Sequence, residues 1–286
     1  MTRVFQQVNG LWSLARPSNV LLFIFANALG GIILQGSTAF SDDGFWMLVL
    51  SGTLVGAAAN IINDVFDIEI DRINKPLRPL VLGEISESVA IYAWAIFNSL
   101  AVLLSFSVSF AAFAIAFFSA ILLYVYSRWM KRVIVLGNLV VALVVSASIC
   151  FGALFTDFHS KLLFPAGLTF IAVFAREILK DAEDIIGDRA GGIETLPTRI
   201  GIKKALFIIA FIQGLAILWA ISPLMILDTY PLKRPFLYAI LIFIFAGITL
   251  YGTFQSFGSH TPQTLHQINN LQKIAFLFAL LSFAVG

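Results

Sequence analysis

Charge is what this chain has least of. Only 12% of its 286 residues are Asp, Glu, Lys or Arg, against roughly 25% in soluble domains, while 59% are hydrophobic. That excludes an ordinary soluble globular protein and a disordered chain. Cysteine is nearly absent: the single Cys150 rules out an intramolecular disulfide and a cysteine metal cluster. Histidine is scarce too. His159, His260 and His266 lie far apart in the chain, which argues against a histidine-rich metal centre, and they read as loop or interface residues. The net charge of +2 is small and scattered, so no nucleic-acid partner is expected.

What is present is a series of long uncharged runs. Residues 17–41, 44–63, 88–127, 133–156, 205–227 and 235–272 contain no Asp, Glu, Lys or Arg. A membrane-crossing helix needs about 20 apolar residues, whereas a β-barrel strand would show alternation. The class is therefore all-α: a polytopic membrane protein, read as one domain over residues 1–286. The 88–127 run is long enough for two spans, with a turn at Ser105, Ser107 and Ser109. Nine spans follow: 18–35, 45–65, 88–106, 110–126, 134–155, 162–182, 205–226, 236–256 and 268–286. The last starts polar and carries Lys273, which is expected to snorkel to the interface. Residues 1–16 lack a signal-peptide pattern and read as a surface segment leading into the first span. Gly52 and Gly56 form a GxxxG, which is expected to serve close helix packing.

With the N-terminus inside, 15 of the 18 basic residues fall on the cytoplasmic side, and only Lys161, Lys233 and Arg234 fall outside. Arg128, Lys131 and Arg132 read as positive-inside determinants or lipid headgroup contacts.

The few charges are concentrated. Seven of the chain's 34 lie between Asp64 and Arg78 and eight between Arg176 and Arg189, each cluster at the cytoplasmic end of a span. In the first, spanning residues 60–78, Asn60, Asp64, Asp67 and Asp71 follow one another at +4, +3 and +4, which is one helical face. Asn63, Asp67 and Asp71 form a row beside it. In the second, spanning 176–189, Asp181, Asp184 and Asp188 repeat the +3, +4 spacing at a constant offset of 117 residues, and Lys180 falls where Asn63 falls. The two clusters read as equivalent positions of two pseudo-repeated halves around an axis along the membrane normal. Stacked carboxylates repel one another and are costly near a membrane, so a cation is expected among them.

Mg²⁺ with a diphosphate suits this composition. Mg²⁺ takes hard oxygen ligands, commonly one or two carboxylates plus substrate phosphates. Arg72, Lys75, Arg78, Arg176 and Lys180 would meet the remaining phosphate charge. Beneath lies an apolar bundle with 28 Phe, suited to a long hydrocarbon and to a carbocation. Asn138, after Gly137, is expected to line the cavity; the alternative is a helix–helix hydrogen bond. A cation-coupled transporter is the rival class, but its site would sit near the midplane and avoid Lys and Arg.

At these residues the sequence resembles the UbiA superfamily of intramembrane prenyltransferases. Asn63, Asp67 and Asp71, with Asp64, match its NDxxDxxxD motif. Asp184 and Asp188 match its DxxxD motif, with Lys180 at the family's lysine four residues earlier. Resemblance extends to Arg16-Pro17, Asn74-Lys75-Pro76 to Arg78-Pro79, Tyr126-Ser127, Gly137-Asn138 and Thr195-Leu196-Pro197 to Gly201. It implies nine transmembrane helices around a central cavity, with Mg²⁺ and an isoprenyl diphosphate at a cytoplasmic mouth. By the family's pattern Asn63, Asp67, Asp71, Asp184 and Asp188 would hold Mg²⁺. Asp64 and Asp181 would contribute directly or from behind. Lys180 and Arg72 would bind diphosphate oxygens, with Asn60, Lys75 and Arg78 nearby.

Within the superfamily the chain looks most like the geranylgeranylglycerol-phosphate geranylgeranyltransferases, whose acceptor is lipid-like. Arg176 replaces a tyrosine that many aromatic-substrate members carry, which suits an acceptor bringing its own phosphate. An aromatic or quinone-type acceptor is the alternative. Membrane lipids are the remaining partners, and no obligate protein partner is inferred.

Overall fold

The computed structural model describes residues 2–157, 159–226, 230 and 232–286, with side chains from residue 7 onward. The first residue of the expected surface segment lies outside that set. The described residues form fourteen α-helices in order: α1 (Thr2–Ala15), α2 (Pro17–Gln35), α3 (Asp43–Phe66), α4 (Ile68–Asn74), α5 (Pro79–Leu82), α6 (Glu87–Val108), α7 (Phe110–Arg128), α8 (Leu136–Phe151), α9 (Leu163–Glu183), α10 (Ile185–Ala190), α11 (Leu196–Ile200), α12 (Ile202–Ile221), α13 (Pro235–Gly258) and α14 (Pro262–Val285). No strand occurs among the described residues.

Eight of these helices are long and apolar enough to cross a membrane: α2, α3, α6, α7, α9, α12, α13 and α14. The expected fifth span is shorter than its apolar run. α8 has 16 residues, about 24 Å at 1.5 Å per residue, against a hydrocarbon core of about 30 Å. It stops at Gly152, where an added Cβ would sit 1.6 Å from the Asn27 carbonyl oxygen of α2, so close packing against that backbone coincides with the end of the helix.

The ends of the other helices follow local chemistry. α6 and α7 part at Ser109, whose hydroxyl accepts from the Ala112 amide at 3.1 Å. Ser105 and Ser107, expected in that turn, instead sit inside α6, where they donate to carbonyls one turn back. α14 starts six residues before the expected 268, with Thr261 as its cap and Pro262 in its first turn. Lys273 is thereby carried to mid-helix.

Successive long helices pack side by side: α2 on α3, α3 on α6, α6 on α7, α7 on α8, α8 on α9, α9 on α12, α12 on α13 and α13 on α14. α14 returns to α2 and closes the ring. Gly52 and Gly56 do serve packing: a Cβ on either would strike Asn27 or Phe23 of α2. The ring surrounds a cavity of about 920 Å³. Its deep wall is apolar, with Leu22, Val141, Val144, Val145 and Phe276 among its residues. Most phenylalanines, however, are elsewhere. Phe106, Phe110, Phe118, Phe207, Phe211 and Phe254 point outward, and among the described residues only Phe23, Tyr126 and Phe276 bring aromatic rings to the cavity.

Candidate functional site

The cavity opens where α3 and α9 end, and the two helices end in the same way. Asp67 closes α3 and starts α4 with φ −100° and ψ 2°. Asp184 closes α9 and starts α10 with φ −88° and ψ 5°. Each short second helix then carries the third carboxylate, Asp71 or Asp188. The 117-residue offset is thus also a repeat of backbone shape. α4 packs on α10, and Asp67, Asp71, Asp181, Asp184 and Asp188 share a polar pocket of about 60 Å³ that adjoins the main cavity.

One asparagine fastens the two halves. Asn74, at the end of α4, donates to the Asp184 carbonyl (3.0 Å) and accepts from the Gly187 amide (2.9 Å). Gly187 is required there: a Cβ would meet the Asn74 amide group at 2.4 Å. Its neighbour Lys75 pairs with Asp184 at 2.5 Å.

Cations neutralise the acids. Asp64, almost fully buried, is held by Arg16 (2.6 Å) and by Arg78. Arg78 also lies 3.0 Å from the Asp71 Oδ2. That contact is an ion pair without hydrogen-bond alignment, and the same oxygen is buried with no hydrogen-bond partner. Lys131 pairs with Asp67, which also accepts from Asn63 at 2.8 Å. Asp181 has a neutral partner, Asn138, at 2.8 Å. Glu177 accepts from Arg176 (3.0 Å) and Lys180 (3.4 Å). Asn60 donates to the Ala15 carbonyl at 3.0 Å and lines the cavity.

Nine-tenths burial of carboxylates has a cost that these cations only partly offset. Asp71 is pushed up to about 6 by burial first and by the Asp64 and Asp67 charges, against the pull of Arg78 and Lys75. Asp188 is pushed up to about 7 by burial and then by Asp184 and Asp67. Burial alone would lower Arg16, but the Asp64 charge and hydrogen bond, together with the Asp71 and Asp67 charges, hold it above its ordinary value. Burial lowers Lys131 despite Asp67.

Backbone strain also gathers here. The two non-glycine residues with positive φ among those described are Arg16 (58°) and Val135 (66°). Arg16 sits at the α1–α2 corner, from which its side chain reaches Asp64. Val135 precedes α8 by one residue and Asn138 by three. Such conformations cost about 1–3 kcal/mol each and persist only where surrounding contacts impose them.

Most residues expected from the sequence come together: Asn60, Asn63, Asp64, Lys75, Arg78, Arg176, Lys180 and Asp184 line the cavity, and Asp67, Asp71, Asp181 and Asp188 line the adjoining pocket. Arg72 does not join them. It is exposed on the outer face of α4, paired with Glu69 at 3.2 Å. Asn138 lies outside the main cavity lining and makes the interhelical hydrogen bond that was the alternative. Lys131 departs from the surface role expected of it, whereas Arg128 stays at the helix end over the Phe66 ring (5.2 Å). Lys273 turns into the cavity instead of snorkelling. Asn74, Glu177 and Glu183 were missed as site residues. Glu183 accepts from Asn269 (3.1 Å) and pairs with His266 (2.8 Å), tying α9 to α14.

The donor set fits Mg²⁺. It consists of hard oxygens, with a buried Asp71 oxygen left unbonded and two carboxylates whose charge is incompletely matched. Among the described residues no three Asp, Glu, His or Cys side chains enclose an ion unaided. That suits an ion completed by substrate oxygens and water.

Residues 24–281 match the UbiA prenyltransferase family. The chain is 33% identical over 285 residues to a digeranylgeranylglyceryl phosphate synthase of Methanoculleus marisnigri, covering 98% of each. It is 38% identical over 205 residues to that of Methanoregula boonei, covering 70% of this chain and 72% of the relative. A solved digeranylgeranylglyceryl phosphate synthase superposes with a TM-score of 0.71 at 30% identity, covering 98% of each chain. A UbiA homologue from Archaeoglobus fulgidus, solved with GPP and Mg²⁺, shares the fold with a TM-score of 0.69 at 19% identity, covering 96% of this chain and all of that one.

Proposed function

We propose that this chain, which belongs to the UbiA prenyltransferase family, transfers a geranylgeranyl group from its diphosphate to the hydroxyl of geranylgeranylglyceryl phosphate, giving a diether lipid precursor. The observation that carries this reading is the pair of matched acidic helix breaks, interleaved with Lys and Arg above an apolar cavity, in a chain alike end to end to digeranylgeranylglyceryl phosphate synthases. The protein is an integral membrane prenyltransferase. The mouth is assigned to the cytoplasmic side from its Lys and Arg content.

Asn63, Asp67, Asp71, Asp184 and Asp188 supply the oxygens that would hold Mg²⁺, with Asp64 and Asp181 behind them. Bound there, Mg²⁺ neutralises charge that develops on a departing diphosphate. Lys180, Lys75, Arg78 and Lys131 would turn from their carboxylates to diphosphate oxygens as the substrate arrives. Arg176 is assigned to the acceptor's phosphate. The apolar wall holds the prenyl chain and keeps water from the reacting carbon. The allylic C–O bond breaks with its electron pair going to the diphosphate. The acceptor oxygen bonds to the allylic carbon, and its proton passes to a carboxylate or to the released diphosphate.

Purified protein in detergent with labelled geranylgeranyl diphosphate tests this. Reactions with and without Mg²⁺ would contain geranylgeranylglyceryl phosphate, an aromatic acid or a hydroquinone. An Mg²⁺-dependent diether phosphate is expected. A prenylated aromatic would overturn the acceptor, and product formation in chelator would overturn the metal.

A further inference from the structure

The same cavity has a second polar cluster, built on α2 and α14, whose residues are not among those assigned to the diphosphate. It forms where the first turn of α2 meets the middle of α14 and the end of α9. The Lys273 Nζ lies 3.3 Å from the Ser18 Oγ. Among the described residues no carboxylate is within ion-pair distance of Lys273. Arg176, Arg16 and Lys180 line the same cavity, as does the acid Glu183. Glu183 is already engaged by His266 and Asn269, and Glu177 is divided between Arg176 and Lys180. Beside Ser18, Asn19 lines the cavity with 9% of its surface exposed, and its Oδ1 has no hydrogen-bond partner. Which way such an amide is turned is an assignment, so Asn19 offers either an oxygen or two N–H donors to the same space.

The contrast with the acidic wall is one of charge balance. There, Asp64, Asp67 and Asp184 each have a basic partner. Here, positive charge exceeds negative within a membrane protein, where an uncompensated charge is costly unless a ligand completes it. We propose that Lys273, Ser18, Asn19 and Arg176 form a second anion subsite, which takes the phosphate monoester of the lipid acceptor while the acidic wall takes the prenyl diphosphate. This assignment rests on the acceptor class given above.

A phosphate monoester carries about −1.5 to −2 charge and three strong acceptor oxygens. Lys273 supplies a compact charge, Arg176 a planar fork, and Ser18 and Asn19 neutral donors. Two polyanions held by separate sets of cations repel less than two sharing one set, and both hydrocarbon chains still descend into the same apolar cavity. Lys273 and Ser18 are therefore specificity-determining residues for the acceptor.

The test uses the full chain in detergent with Lys273→Met, Lys273→Arg and Ser18→Ala. The KM for geranylgeranylglyceryl phosphate, the KM for geranylgeranyl diphosphate, and inhibition by glycerol phosphate as a headgroup probe are measured. Lys273→Met is expected to raise the acceptor KM at least tenfold and weaken glycerol phosphate inhibition in step. The diphosphate KM should stay within twofold, and Lys273→Arg should recover most of the loss. Mg²⁺-dependent diphosphate binding by each variant reports an intact fold. An acceptor KM and inhibition at wild-type values in Lys273→Met would overturn the subsite, as would a rise confined to the diphosphate KM. If the wild-type protein used no phosphorylated glycerol acceptor, the acceptor class itself would fall. Retained, Lys273-independent use of that acceptor would sink the subsite alone.

Discussion

The two acidic helix breaks share their spacing and their backbone, yet they are neutralised differently. In the first half, Asp64 is gripped by two arginines and Asp67 by Lys131. In the second half, Asp184 has only Lys75, borrowed from the first half, and Asp181 has the neutral Asn138. Asp71 and Asp188, the third carboxylate of each break, are both pushed up, to about 6 and about 7, by burial first and by neighbouring carboxylates. A duplicated helix break fixes where carboxylates stand, and the surrounding loops decide how much charge each keeps. The first half takes its cations from its own chain segments, whereas the second half relies on Lys75 of the first, and each half keeps one buried carboxylate that lacks a full counter-charge.

The largest effect is expected when either of the two matched aspartates is removed. Asp67→Ala and Asp184→Ala should each lower turnover by about a thousandfold or more, with the protein still monodisperse in detergent. Wild-type rates in both would sink the metal site. The next effect separates the halves. Asp64→Asn should cost about 3 kcal/mol of stability, because it leaves Arg16 buried without its carboxylate and Arg78 with Asp71 alone. Asp181→Asn should stay within about 1 kcal/mol, since an amide oxygen still accepts from Asn138. Equal losses in thermal unfolding would contradict the asymmetry. Asn74→Ala removes two hydrogen bonds that join the halves. It should cost about 2 kcal/mol and lower Mg²⁺ affinity about tenfold to a hundredfold. Unchanged affinity would mean that the halves are held together elsewhere.

The smallest effect is on pH dependence. Asp71 and Asp188 hold protons in the folded chain at pH values where an unfolded Asp, near 3.9, has lost them. Folded pKa values above the unfolded one mean that these groups destabilise the metal-free protein increasingly as pH rises from about 4 to 7. The melting temperature in chelator should therefore fall by a few degrees over that range. Saturating Mg²⁺ should flatten or reverse the trend, because ligand binding requires the deprotonated carboxylates. A metal-free melting temperature that rises toward pH 7 would contradict the shifts.

The acidic faces were legible in the sequence because a helix converts spacing directly into geometry. The +3, +4 pattern and its 117-residue repeat could be read without knowing the fold. What spacing does not encode is how far a long cation reaches. Lys131 leaves a short loop and crosses to Asp67, while Arg72, beside Asp71 in sequence, faces away from it on α4. The start of α14 was placed late because its first turns are polar. The cap at Thr261-Pro262 was the signal that would have moved it and brought Lys273 to mid-helix. Asn74 sits in a stretch that drew notice for its basic neighbours, and its own role depends on contacts more than a hundred residues away. The phenylalanine content suggested an aromatic cavity, but in a membrane protein the outer surface and the helix interfaces are apolar too, and nearly all of those rings went there.

On the proposed function, both breaks form one metal-dependent diphosphate site. The most direct measurement is Mg²⁺-dependent binding of geranylgeranyl diphosphate, by calorimetry in detergent, to wild type, Asp67→Asn, Asp184→Asn and the double variant. A shared site predicts that each single variant loses nearly as much affinity as the double, because the two carboxylates act as a unit. Two independent losses that add in free energy, or binding that survives in either single variant, would contradict it.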